Sequence, residues 1–198
     1  MKRLSALIPA RTTRRFRLGA AVALAALATS GAGTLSASAA SGPIRAVGPK
    51  IAGCATSQLT VWLGIPGDGA ASTVRYEMQI SNIGMTTCSL YGFPGVSAMA
   101  PGGAQLGSPA SWDHSLTPST VVLAPGATSH VVFQTVSVSN YPTSTCAPVS
   151  ASGLRVYPPN QTASAIIPFT FEACSKTGPV YLSVRPVETG TGIPSYSQ

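Results

Sequence analysis

A period of two runs through the middle of this sequence. Val74, Tyr76, Met78 and Ile80 alternate with Arg75, Glu77 and Gln79, which predicts a strand with its apolar set on one face and its polar set in water. Asn82-Ile83-Gly84 closes that strand as a turn. Upstream, residues 58–63 read as a strand and the Gly- and Pro-rich residues 64–69 as a loop. Downstream, 96–100 and 104–106 flank a Pro101-Gly102-Gly103 hairpin turn, and further strands fall at 121–123, 129–136, 154–157, 165–171 and 180–185. Pro158-Pro159-Asn160-Gln161 supplies one turn between them, and Pro168 marks an edge strand or a bulge, because proline cannot donate to a ladder. No stretch beyond residue 40 keeps a helical apolar period for three turns. Short strands separated by Gly/Pro turns predict an all-β fold, and the uneven loops favour an antiparallel sandwich over a closed barrel.

The stretch Cys88-Ser89-Leu90-Tyr91-Gly92-Phe93-Pro94-Gly95-Val96 reads as a disulfide-anchored bend between two of these strands. Leu90 and Phe93 are expected to point into the core, and Gly92 and Gly95 to take backbone angles that other residues resist.

Charge divides the chain. Residues 1–40 carry six basic residues and no acid, whereas the remainder has six basic residues against five acids, so the formal +7 is a property of the N-terminus. That N-terminus follows the secretory plan: a basic start, the apolar run 18–28, and small residues ending Ala37-Ser38-Ala39. The run is too short to span a bilayer, which takes about 20 apolar residues, and removal of 1–39 is expected. Arg14-Arg15 fits the twin-arginine export route, although Arg17 stands where an apolar residue is usual. Residues 40–53 read as a linker, 54–187 as the domain, and the Gly-, Pro-, Ser- and Thr-rich 188–198 as a disordered tail. Six scattered cations make no basic face, so nucleic acid is not an expected partner.

Four cysteines in an exported chain imply an oxidising compartment and two disulfides, with three possible pairings. Cross-strand partners in a hairpin share one midpoint. Cys54 and Cys88 average to position 71, between the first two strands, and Cys146 and Cys174 average to Asn160 in the Pro-Pro-Asn-Gln turn. The predicted bonds are therefore Cys54–Cys88 and Cys146–Cys174.

Candidate chemistry is sparse. His130 falls on the polar side of a strand and is expected to face solvent or an edge. Asp113-His114-Ser115 holds the residue types of a hydrolytic triad, but adjacent side chains point in different directions and cannot form a relay. A hydrolase using His114 and Asp113 is the main alternative function, and an extracellular copper carrier using Met78, Met85 and Met99 with His114 a weaker one. The cysteine spacings lack a metal-binding pattern, and no cofactor is expected. Trp112, Asp113 and His114, in the loop 107–119, are the candidate binding residues, as a platform for a sugar or protein or as a lid on the sandwich end.

Five motifs together resemble the secreted actinobacterial family known as domain of unknown function 4232. They are residues 79–84, Thr87-Cys88 through Val96, Gln105-Leu106-Gly107, Val122-Leu123-Ala124-Pro125-Gly126, and Cys146-Ala147-Pro148 with 153–159. The resemblance runs from about Cys54 to Val187 and implies an immunoglobulin-like β domain, exported or membrane-tethered, with no established activity and no catalytic residues to carry over. The first cysteine is Cys54, far from the cleavage site, so the likeness does not extend to a lipid tether. The expectation is a secreted, monomeric, non-catalytic module of the envelope or exterior, without a stable membrane span after processing. Its partner would be an envelope glycan or protein.

Overall fold

The alternating stretch forms β2 of twelve strands in the described residues: β1 (Leu59–Ala70), β2 (Thr73–Asn82), β3 (Cys88–Tyr91), β4 (Gly95–Met99), β5 (Gln105–Leu106), β6 (Ser111–Trp112), β7 (Thr120–Leu123), β8 (Thr128–Val136), β9 (Pro148–Tyr157), β10 (Ala165–Cys174), β11 (Leu182–Val184) and β12 (Glu188–Thr189). The computed structural model describes residues 50–70 and 72–192. The expected signal peptide, most of the linker and the last six residues lie outside that range.

One sheet runs β1-β2-β8-β11-β6 with β12 also paired to β8, a second runs β10-β9-β4-β5, and β3-β7 forms a short third pair. Pairing is antiparallel except between β6 and β11. The inner faces supply one continuous core. Met78, Ile80, Val131, Phe133 and Leu182 come from the large sheet, Val96, Ala98, Leu154 and Val156 from the second, and Leu90, Val121 and Leu123 from the short pair. Each large side chain so buried stabilises the fold by about 1.5–3 kcal/mol. The sandwich expected from the strand pattern is thus present, with both predicted disulfides, Cys54–Cys88 and Cys146–Cys174.

Several local expectations are corrected. Residues 64–69 are not a loop: β1 continues to Ala70 and keeps pairing with β2 through two register shifts. Gly64 allows this, since a Cβ there would lie 2.7 Å from the Glu77 carbonyl oxygen. The loop 107–119 is not wholly irregular, because Ser111–Trp112 pairs with β11. Of the two bend glycines only Gly92 has a positive φ, at 97°, while Gly95 opens β4 as ordinary strand.

The outer face of β2 is not simply in water. Gln79 is fully buried and Glu77 partly so, because residues 188–192 return over that face. The disordered tail expected from 188 onward therefore does not begin there: Glu188 pairs with His130 and Thr189 with Ser129. Pro168 meets both expectations, lying on the edge strand β10 beside a register shift.

Candidate functional site

The bend after β3 and the edge strand β6 bring three rings together. Gly92 breaks the alternation that buries Leu90 and exposes Tyr91, and it turns Phe93 outward from the core it was expected to join. On the opposite side, β6 is fixed to β11 by its ladder, by the Asp113 N–H donating to the Val184 carbonyl at 2.8 Å, and by the Ser111 hydroxyl donating to the Leu182 carbonyl at 3.3 Å. Trp112 then stacks on Phe93, with centroids 5.1 Å apart and planes 9° from parallel. His114 packs against Phe93 at 4.8 Å and meets Trp112 edgewise at 6.4 Å. Trp112 keeps 55 % of its surface exposed, so the stacked pair forms a shelf open to solvent. Sequence reasoning found Trp112 and His114 but missed Phe93, whose place in an apolar anchor motif read as core.

Asp113 belongs to a different contact. Its Oδ1 accepts the Ser115 N–H at 2.9 Å and its Oδ2 accepts the Arg185 Nε–H at 3.2 Å. The Ser115 N–H does most to hold its carboxyl below the usual range; burial opposes it, and the Ser115 hydroxyl and Arg185 add lesser lowering effects. Among the described residues no hydrogen bond joins Asp113 to His114, so this geometry supplies no acid–histidine relay. The methionines of the copper alternative are not gathered either: Met78 is wholly buried in the core and Met85 is 92 % exposed in the loop after β2. Among the described residues no group of three His, Cys, Asp or Glu side chains is set to hold a metal.

The profile of a family described as Domain of unknown function (DUF4232) matches residues 54–188, well over half of the chain. The chain belongs to this family. No curated protein matches it significantly. The match starts at Cys54, the first disulfide cysteine, and ends at the first residue of β12, so it spans the whole sandwich.

Two other features of this DUF4232 domain were not foreseen. A cleft of about 490 Å³ opens at the turn end of β1 and β2, lined by Thr73, Val74, Thr135, Ser137, Phe171 and Glu172 among others. Beside it Phe169 stacks on Phe171 at 5.0 Å and meets Tyr76 edgewise at 5.1 Å. The second is a polar cluster on the outer face of the large sheet. His130, expected to face solvent, has only 12 % of its side chain exposed and lies with Nε2 4.0 Å from both Glu77 Oε2 and Glu188 Oε1. Burial raises the Glu77 carboxyl above its usual range, with Glu188 adding to the rise and His130 and Arg185 opposing it. Nothing local in the sequence announced this cluster, because it forms only when residues 188–192 fold back.

Proposed function

We propose that this DUF4232 domain is an exported, non-catalytic binding module of the cell envelope or exterior, with the Phe93–Trp112–His114 shelf as its contact surface. The observation that carries the reading is the parallel stack of Phe93 beneath a Trp112 more than half exposed. A large flat ring held by a second ring loses little side-chain entropy on binding, which is what makes such residues effective anchors. A neutral glycan is the ligand that fits: the C–H face of a pyranose complements the negative face of the indole. From residue 41 onward the chain has only eleven charged side chains, and the nearest pair, Asp113 and Arg185, neutralise one another.

Export is supported by the leader-like N-terminus of the sequence and by the two disulfides, which persist in oxidising compartments. Among the described residues no helix is long and apolar enough to cross a membrane. Co-sedimentation of the processed protein with insoluble envelope polysaccharide tests the reading. Retention of the wild type and loss of Trp112→Ala is expected, and equal behaviour of the two in the pellet would defeat it.

A further inference from the structure

β10 is an edge strand of the second sheet, and its two halves treat that edge differently. In the first half Pro168 has no N–H to offer, and a register shift follows it before Phe171. Proline and bulges both block an edge against a further strand. The second half carries neither device, and residues 171–174 pair regularly with 148–151 of β9.

In an antiparallel ladder, opposed residues alternate between pairs that exchange hydrogen bonds and pairs that turn their N–H and C=O away from each other. The Ser175 N–H donates to the Ala147 carbonyl at 3.2 Å, and this fixes the alternation. Ala173–Val149 and Phe171–Ala151 exchange bonds, whereas Cys174 and Glu172 turn away from β9. Pro148, opposite Cys174, agrees, since it has no N–H to exchange. The outward groups of Cys174 are covered: its N–H meets the Tyr181 phenol oxygen, and its carbonyl packs on Gly107, where a Cβ would lie 2.5 Å away. Those of Glu172 open on the cleft of about 490 Å³ that it helps to line. Glu172 is exposed, and among the described residues no backbone bond outside the β9 ladder and no ion pair engages it.

The cleft extends this edge inward. Phe171 packs against the core with one side stacked on Phe169, and Val74 and Thr135, opposed on β2 and β8, also line the cleft. A strand added beside β10 would point the residue opposite Glu172 outward with it, and the residues before and after into the cleft beside Phe171. Among the described residues that line the cleft, Glu172 is the only charged one.

We propose that this open half-edge docks an extended peptide, added antiparallel to β10 with a lysine or arginine opposite Glu172 and an apolar residue on each side of it. A peptide is the ligand whose own N–H and C=O meet the unpaired pair at Glu172, while the cleft takes its alternate side chains. The basic residue supplies the opposite charge across the strands. The site shares no residue with the aromatic shelf, and its test is separate.

Nuclear magnetic resonance of the intact, disulfide-bonded, nitrogen-15-labelled protein tests it, with acetyl-Thr-Val-Lys-Val-Thr-amide as the probe at millimolar concentration. Saturable shifts are expected at the amides of Phe171, Glu172 and Thr135. The same peptide methylated on the lysine backbone nitrogen, which cannot donate to the Glu172 carbonyl, should bind about tenfold more weakly. Glu172→Gln, at an exposed position that leaves the fold intact, should weaken the lysine peptide and not one with glutamine in place of lysine. An unchanged spectrum, or equal binding of the methylated peptide, would overturn the proposal. Shifts confined to the Phe93–Trp112 region would overturn it by placing the peptide on the shelf. Shifts at Glu172 that grow with protein concentration and without peptide would also overturn it, by assigning the edge to a second copy of the chain.

Discussion

Asn82 carries more of the fold's polar organisation than any other single side chain described, and replacing it has a calculable cost. It is fully buried at the end of β2. Its Oδ1 accepts the Gly84 N–H at 2.9 Å, and its Nδ2 donates to the carbonyls of Thr86 at 2.9 Å and Leu123 at 3.0 Å. One amide group thereby closes the loop after β2 and ties it to β7. Asn82→Ala removes three hydrogen bonds at about 1 kcal/mol net each, so the expected loss is about 3 kcal/mol, more if the buried Leu123 carbonyl finds no water. That is a large share of the roughly 5–15 kcal/mol that holds a domain of this size together. Asn82→Asp is the sharper probe. It keeps the shape and the acceptor for Gly84 but aims a charged oxygen at two carbonyls, so at neutral pH it should cost more than alanine. Burial raises such a carboxyl, and stability should recover as pH falls and the protonated acid regains one donor. Urea unfolding followed by tryptophan fluorescence measures both variants, provided the slope with denaturant is unchanged. A cost below about 1 kcal/mol for Asn82→Ala, or an Asn82→Asp variant whose stability ignores pH, would refute the reasoning.

Other outcomes follow from the same structure. Replacing both Cys146 and Cys174 by alanine opens a loop with a sequence separation of 28 residues, and the urea midpoint should reveal a loss of about 3–4 kcal/mol. Burial pushes the Tyr181 phenol up to about 12. Stability is therefore complete below the ordinary tyrosine range and lost as pH rises through that value, and an absorbance titration should show one tyrosine ionising only with unfolding.

Much of the sandwich was legible because its elements are local. The β2 alternation placed Met78 and Ile80 in the core, and the Pro158–Gln161 turn closes with the Gln161 N–H donating to the Pro158 carbonyl at 3.0 Å. The midpoint argument for Cys146–Cys174 rests on a real hairpin, since Cys174 pairs with Pro148 two residues from its partner. For Cys54–Cys88 the pairing is right and the reason incomplete. The chain leaves the β1–β2 ladder before reaching these cysteines, and Gly53 bridges Ser89 in parallel. What escaped detection depends on distant segments meeting. Glu77, Gln79 and His130 look solvent-facing until Glu188–Gly192, a run with the composition of a tail, lies down on them. Phe93 looks like core until Gly92 turns it under Trp112.

The central claim is that the open face of Trp112 is a contact surface for a neutral glycan, and fluorescence can address that ring alone. Trp62, 44 % exposed on β1, is the other tryptophan, so a Trp62→Phe protein reports only Trp112. Titrating it with neutral tetrasaccharides of glucose, mannose, galactose and N-acetylglucosamine should give a saturable change in emission with at least one sugar. Calorimetry on wild-type protein should show the same binding, and Trp112→Ala should lose it while keeping its urea midpoint. Emission that stays flat across the whole panel, or a Trp112→Ala protein that binds as tightly as the wild type, would contradict the account.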